Sequence, residues 1–270
     1  MGLEHSKIKA VLCMDLDGTL VDYTESAHPR DIEILNNFPQ EVLPILATGR
    51  SLPSAKDALA INGIFSEDPF PIPSVTINGA VIQLPGEEVI KVEYLDRELL
   101  EQLTQFAKQF SSTTFFYYQP TKCYLLNPAE INNEISKMHY LEKFVPFPEV
   151  MPDQINKVMA IDRNLDAIEQ IKQHTQGLPA EIGTSLPHIL EFSPLGVTKA
   201  KGAQFLLDAM GIEDLPIFAV GDGENDLTLK TIAQQFFVPS TAQAHIQQQA
   251  DQVIDRSENG ILSPILDLIR

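Results

Sequence analysis

Residues 8–22 read IKAVLCMDLDGTLVD, and the fold is read outward from them. The apolar run Val11–Met14 breaks into Asp15-Leu16-Asp17-Gly18-Thr19. An apolar run without in/out alternation is what a strand covered on both faces looks like, as in a parallel sheet. Gly18 marks a sharp departure of the chain. Asp15 and Asp17 therefore sit at and just past the carboxyl end of a strand, where open α/β sheets place their ligands. Two like charges so close in a half-buried loop repel each other, and a divalent cation is what resolves the arrangement.

The strand-turn-helix pattern then repeats. Pro29–Phe38 carries Ile32, Leu35 and Phe38 at helical spacing, with Pro29 in the first turn and Pro39 beyond the end. Val42–Ala47 is a short apolar strand ending in Thr48-Gly49-Arg50. Pro53–Ile61 reads as a helix stopped by Gly63, and Ser74–Ile77 as a strand ending in Asn78-Gly79-Ala80. Three strands, each closed by a small, polar, glycine-containing turn, predict a doubly wound parallel sheet, a Rossmann-like α/β core.

From Leu84 the texture changes, with Pro85-Gly86 as a turn. Asp96–Phe110 predicts an amphipathic helix with Leu99, Leu103, Phe106 and Phe110 on one stripe. Thr113–Tyr118 and Lys122–Leu126 predict a hairpin, Pro128–Leu141 a helix, Asn156–Ile161 a strand, Leu165–His174 a helix and His188–Phe192 a strand. Hairpins mixed with helices predict an α+β layer. At Gly196 the first texture returns: a helix Thr198–Met210 capped by Thr198, then an apolar strand Pro216–Val220 running into Gly221-Asp222-Gly223-Glu224-Asn225-Asp226. Phe236–Val238, Thr241–Gln249, Val253-Ile254 and Ile261–Leu268 complete the sheet and its helices. The expected organisation is a core over residues 1–83 and 193–270, interrupted by an inserted α+β cap over 84–192.

Composition narrows the function. Hydrophobic content of 44% and charged content of 21% over 270 residues are those of a globular protein with a large core. Lys+Arg 19 against Asp+Glu 37 gives a net charge of −18, which disfavours nucleic acid. A phosphate-handling site on such a chain needs local positive charge, from a metal or a placed lysine. Cys13 and Cys123 lie far apart in apolar or aromatic runs and read as buried thiols of a reducing compartment. No apolar run is long enough to span a bilayer, and no signal-peptide pattern opens the chain. Met1-Gly2 and Ser6 formally fit an acylation pattern, but no basic patch follows as a second anchor. A cytoplasmic protein without membrane or nucleic-acid partners is expected, and nothing in the sequence fixes its oligomeric state.

The second acidic turn gives the first its meaning. Asp222 also follows an apolar strand directly, between two glycines. If the two strands are neighbours, Asp15 and Asp222 meet at the carboxyl edge of the sheet. Carboxylates with neither His nor Cys in either turn suit Mg²⁺ and not Zn²⁺. A carboxylate beside Mg²⁺ can attack phosphorus and form an aspartyl-phosphate. A second carboxyl, close to the metal but off it, can give a proton to the leaving alkoxide and later take one from water. Asp17, two positions beyond Asp15 in an extended segment, points to the same face, so Asp15 reads as nucleophile and Asp17 as acid/base. Thr48 brings a hydroxyl and the neighbouring backbone N–H groups, Gly49 among them. Lys199, in the first turn of its helix where a cation opposes the dipole, reads as an ammonium for the phosphate and the nucleophile.

DLDGT, a strand ending in TGR, then GVTK and GDGEND resemble, in that order, the four motifs of the haloacid dehalogenase-like hydrolase superfamily. The insert between the second and third motifs, with the turn Asn78-Gly79-Ala80, resembles the Cof-type sugar-phosphate phosphatases. The resemblance covers essentially the whole chain. It implies Asp15 as nucleophile and metal ligand, and Asp17 as acid/base with its backbone carbonyl on Mg²⁺. It further implies Thr48 and Lys199 on phosphate, Asp222 on Mg²⁺, Asn225 on the phosphate or a metal-bound water, and Asp226 in the metal shell or orienting the lysine. It also places the first strand between those of Thr48 and Asp222. Ala200 stands where the family usually has Gly, and Phe237-Val238-Pro239-Ser240 where relatives usually show Met-Gly-Asn-Ala.

The reading is a Mg²⁺-dependent phosphomonoester hydrolase acting on a small phosphorylated metabolite, with a sugar phosphate favoured and the cap as lid. The rivals are a phosphomutase of the same fold, a receiver-like protein that keeps its phosphate, and a catalytically idle binding protein. Arg50 is left between holding substrate and pairing with a core acid, and Asn78 stands with it as a further substrate-side candidate. Glu224 is read as a solvated loop acid, and Tyr117, Tyr118 and Tyr124 as strand aromatics of the core. Glu191 and His188 are weaker candidates for the cleft between the domains.

Overall fold

The computed structural model describes residues 7–66, 68–127, 144–184 and 186–269. The expected helix Pro128–Leu141 and the acylation pattern at Met1-Gly2 and Ser6 lie outside the described residues. The first part of the core runs β1 (Ala10–Met14), α1 (Pro29–Asn36), β2 (Val42–Ala47), α2 (Leu52–Ile61), β3 (Ser74–Thr76), β4 (Val81–Gln83) and β5 (Val89–Val92). The cap follows with α3 (Arg97–Ala107), β6 (Thr114–Gln119), β7 (Lys122–Leu126), β8 (Phe144–Pro146), β9 (Lys157–Ile161), α4 (Leu165–Thr175), β10 (Ala180–Thr184) and β11 (Ile189–Pro194). The chain re-enters the core with α5 (Lys199–Met210), β12 (Ile217–Val220), α6 (Leu227–Lys230), β13 (Gln235–Pro239), α7 (Ala244–Gln247), β14 (Gln252–Ile254) and α8 (Leu262–Ile269).

The core sheet has the order β14-β13-β12-β1-β2-β3-β4-β5, parallel from β14 to β3 and antiparallel beyond. β1 is central. Its side chains do alternate, but both faces are covered: Ala10, Leu12 and Met14 pack with residues of α1, α2 and α8, while Val11 and Cys13 pack with residues of α5. That double burial is why the run shows no polar alternation. Phe237 and Val238, in the stretch that departs from the family pattern, are buried in these two cores. Asp31 ties the ends of the chain together: its two oxygens accept the N–H groups of Ile261 (3.0 Å) and Leu262 (2.9 Å) at the start of α8.

The cap is a second, six-stranded sheet of order β10-β11-β9-β6-β7-β8. One face, with Phe115, Tyr117, Val158, Ala160, Leu190 and Phe192, packs under α3 and α4; the other carries Phe116, Tyr118, Met159, Ile161 and Ile189.

Some elements differ from the sequence expectation. β4 and β5 form a hairpin, and β5 falls within residues 84–192, which the expected boundaries give to the cap; yet β5 pairs with β4 in the core sheet. Pro85-Gly86 is a turn, but it closes a hairpin of the core and not a domain boundary. The chain leaves the core sheet after Val92, and β11 runs on to Pro194. Ser74–Thr76 ends one residue early, because Ile77–Gly79 wind into a tight 3₁₀ turn. The expected helix Thr241–Gln249 is reduced to Ala244–Gln247. Strands β8 and β10 are additional to the expected elements.

Candidate active site

β1 lies between β2 and β12, with Met14 opposite Leu46 on one side and Val220 on the other. The turns after these three strands therefore emerge together, and they carry Asp15, Thr48 and Asp222. Asp15 is buried, and its N–H bonds to the Val220 carbonyl at 3.0 Å, so the strand's own hydrogen bonding fixes it. Gly18 turns the chain at φ +75°; a Cβ there would lie 2.0 Å from Asp222 Oδ2, so the first acidic turn can approach the second only without a side chain.

Lys199 begins α5 behind its N-cap Thr198, whose hydroxyl accepts from Lys201 N–H. Its ammonium is buried and donates to Asp15 Oδ1 at 2.6 Å and Asp226 Oδ1 at 2.7 Å. Asp226 Oδ2 accepts the N–H groups of Asp222 (3.2 Å) and Gly223 (3.0 Å), which shapes the fourth-motif turn. Asp15, Asp222 and Asp226 each offer a carboxylate oxygen, all within 4.8 Å of one another. Burial raises the Asp15 carboxyl well above its ordinary range; the charge of Asp226 adds to this and that of Lys199 opposes it. Burial, then Asp226, pushes Asp222 up to about 7. Burial alone would lower Lys199, but Asp15 and Asp226 outweigh it and push its ammonium up. Three carboxylates thus crowd around one ammonium, an excess of negative charge on hard oxygen donors with no thiolate or imidazole among them. That set fits Mg²⁺.

Asp17 takes a different place from Asp15. Its carboxylate is gripped by Arg50, from Nε at 2.9 Å to Oδ2 and from Nη2 at 2.6 Å to Oδ1, and Arg50 Nη2 also reaches Glu25 at 3.0 Å. Arg50 is paired with these two acids and also lines the cavity beside Asp15. Asp17 is therefore outside the carboxylate group formed by Asp15, Asp222 and Asp226, and turned toward the cavity. Thr48 is buried, and its hydroxyl accepts from Arg50 N–H at 3.1 Å. Asn78, at φ 56° and ψ 24°, donates to Glu191 of the cap at 2.8 Å and accepts from Asn225 at 3.1 Å.

A cavity of about 60 Å³ lies among these groups, lined on the core side by Asp15, Asp17, Arg50, Asp222 and Asn225, and on the cap side by Leu186, Ile189 and Glu191. A larger cleft of about 400 Å³ adjoins it between α4 and α7, sharing Leu186, Asp222 and Gly223. Glu224, read as a solvated acid, accepts a hydrogen bond from Thr184 of the cap at 2.9 Å. Tyr23 escaped the sequence reading: its hydroxyl donates to Asp222 Oδ2 at 2.5 Å. It rides on a loop fixed by Asp22, which accepts from the N–H groups of Thr24 and Ser26. The aspartate four residues before a Ser was the only local sign of that ordered loop.

The chain resembles known phosphatases over most of its length. The chain is 23% identical over 257 residues to a phosphoglycolate phosphatase of Methanopyrus kandleri, covering 93% of this chain and 92% of that protein. It is 23% identical over 281 residues to the 5-amino-6-(5-phospho-D-ribitylamino)uracil phosphatase of Bacillus subtilis, covering 93% and 94%. Its fold superposes on a haloacid dehalogenase subclass IIB sugar phosphatase with a TM-score of 0.80 at 23% identity, over 96% of this chain and 98% of the other. The model of the haloacid dehalogenase-like hydrolases matches residues 12–265, from the strand that delivers Asp15 to the helix that Asp31 caps, and the chain belongs to that family.

Proposed function

We propose that the phosphatase activity of this chain depends on Mg²⁺, proceeds through an aspartyl-phosphate on Asp15, and is directed at a small phosphorylated metabolite, a sugar phosphate. The observation that carries this reading is the convergence of Asp15, Asp222 and Asp226 on one point, with Lys199 behind them and Asp17 beside the same cavity.

Asp15 Oδ1 is held by Lys199, so the other carboxylate oxygen is the one aimed at phosphorus. Attack forms the Asp15 O–P bond and breaks the bond from phosphorus to the leaving oxygen, which takes a proton from Asp17. Asp17 then takes a proton from water as that water attacks the same phosphorus; inorganic phosphate leaves and the Asp15 carboxylate is restored. Arg50 holds the Asp17 carboxylate at the rim of the cavity in the ionised form that takes the proton from water; to donate to the leaving oxygen, Asp17 gives up one of these two contacts. Thr48 accepts from Arg50 N–H, which directs its own O–H elsewhere, toward a phosphoryl oxygen. Mg²⁺, held by Asp15 and Asp222 with Asp226 beside them, would supply charge that neutralises the phosphoryl oxygens as negative charge shifts between them. Lys199 adds a fixed positive charge at Asp15 Oδ1.

The size of the site supports a small substrate. The inner cavity has room for a phosphoryl group and little else, and the adjoining cleft would take a polar leaving group of metabolite size. Among the described residues no helix is long and apolar enough to cross a membrane. Cys13 and Cys123 are buried thiols, which supports a reducing, cytoplasmic setting. The test is a panel of phosphorylated metabolites scored for phosphate release, before and after chelation and with Mg²⁺ restored. Release that persists undiminished in chelator would remove the metal from the proposal. Isomerised sugar phosphate in place of free phosphate would make the chain a mutase.

A further inference from the structure

The mechanism leaves one buried ion pair unused. Lys157, the first residue of β9, has no exposed side-chain surface, and Glu191 on the neighbouring β11 is 7% exposed. They meet at 3.1 Å on the underside of the cap. Lys157 Nζ also lies 4.6 Å above the Tyr118 ring centroid. A buried ion pair is a poor source of stability, because desolvation offsets most of its attraction. Its partners across the domain boundary give it another use.

The Thr48-Gly49-Arg50 turn has its three carbonyls tied down in sequence. Thr48 O accepts from Asn78 N–H at 3.0 Å, and Arg50 O accepts from Ile77 N–H at 2.9 Å, both from the neighbouring core turn. The middle one, Gly49 O, is taken by Lys157 Nζ of the cap at 2.8 Å. That neighbouring turn is itself strained: Ile77, Asn78 and Gly79 have φ of 51°, 56° and 104°, and a β-branched residue pays most for this. Glu191 reaches into it, one oxygen on Lys157 and the other on Asn78 Nδ2 at 2.8 Å. Because Asn78 gives its amide N–H to Glu191, its carbonyl oxygen faces Asn225, which donates to it at 3.1 Å. One ion pair in the cap thereby fixes a peptide of the Thr48 turn and, through Asn78, the side chain of Asn225.

We propose that Lys157 and Glu191 are positioning residues: the cap's ion pair sets the geometry of the Thr48 turn and, through Asn78, of the Asn225 side chain, so that the phosphate site is complete only with the cap seated. This rests on the proposed role of Thr48 and on the phosphate role that the family resemblance implies for Asn225. It makes the cap a part of phosphate binding, in addition to any part in choosing the leaving group.

The test is the double variant Lys157→Met/Glu191→Leu, which removes both charges together and leaves no lone ion buried. Amide hydrogen exchange of residues 48–50 and 77–79 is expected to quicken about tenfold, with α1 and α8 unchanged. Inorganic phosphate, a probe with no leaving group, is expected to bind about tenfold more weakly, and kcat to fall by a common factor for all substrates. Glu191→Gln keeps an oxygen for Asn78 and is expected to lose no more than about threefold in phosphate affinity. Unchanged exchange in the two turns overturns the proposal. So does unaltered phosphate binding with an altered substrate ranking, which would make the pair a reader of the leaving group. A wild-type protein that neither binds nor releases phosphate would remove the proposed function instead, and the exchange measurement would still decide whether the pair holds the turns.

Discussion

Two surfaces meet over the inner cavity, and they are built in different ways. On the core side, Asp15, Asp17, Asp222, Asn225 and Asp226 come from two tight turns, and the buried charges are matched by fixed partners such as Lys199 and Arg50. On the cap side, Ile189 and Glu191 alternate along β11 with Leu190 and Phe192, which turn away into the core under α3 and α4. The core side is gathered from turns far apart in sequence that the sheet brings together; the cap side comes from one short stretch, Leu186 to Glu191. Chemistry that needs charges at fixed distances is served by short turns on a rigid sheet edge. Selection among substrates is served by alternate side chains of a strand, each replaceable without disturbing the next. If that division holds, core changes strike every substrate alike, and changes to the apolar cap residues reorder the substrates.

The largest effect belongs to Asp15→Asn. Phosphate release should fall by about four decades or more for every substrate, and no acid-stable, base-labile phosphoenzyme should be trapped. Residual activity that varied with the substrate would break the division at its strongest point. Asp17→Asn should cost about two to four decades, again uniformly, since both proton transfers depend on it. An unchanged rate would take Asp17 out of the mechanism.

Smaller effects are expected one layer out from the acids. Tyr23→Phe removes the hydrogen bond that holds Asp222 Oδ2 and should raise the Mg²⁺ concentration needed for half activity about tenfold, for all substrates alike. The Mg²⁺-induced rise in melting temperature should shrink with it, a readout independent of turnover. The same rise should depend on pH. Asp222 titrates near 7 when folded and 3.8 when unperturbed, so its protonated form favours the folded state. Without metal, this group's contribution to stability is lost as pH climbs from about 4 to about 7 and levels off above that. Mg²⁺ needs the carboxylate ionised, so its stabilisation should be small near pH 5.5 and should grow until about pH 7.5. A stabilisation equal at both would detach Asp222 from the metal.

How much of this could be read from the chain follows the same line. The β1, β2 and β12 strands were legible because burial on both faces writes an unbroken apolar run, and the turns after β1 and β12 because acids and glycines crowd into a few positions. The β4–β5 hairpin was not: three- and four-residue strands at the sheet's edge, with β5 partly exposed, carry too little pattern, and a Pro-Gly turn looks the same within a domain as between two. Arg50 could be named but not assigned, since its partners Asp17 and Glu25 lie 33 and 25 positions away. Lys157 and Glu191 were harder still. A lysine that opens an apolar strand reads as an exposed end, and only the docking of cap on core buries it against Gly49 O.

The smallest effect on the chemistry, and the sharpest test of the division, is expected at Leu186. It lines both the inner cavity and the outer cleft, so any leaving group lying from one to the other passes it. It belongs to no charged pair and packs at the margin of the apolar cluster on the underside of the cap. Leu186→Ala should leave hydrolysis of para-nitrophenyl phosphate within about threefold of the wild type, since the acids and Lys199 are untouched. The ranking of metabolites should move more, by about tenfold for at least one of them, because the gain or loss of a methylene or two in a pocket is worth that much in kcat/KM. A uniform slowing of every substrate would mean that the cap and core surfaces act as one unit even where no charge joins them. A changed ranking at constant para-nitrophenyl phosphate rate would show that Leu186 helps choose the substrate without coupling the cap to the acids.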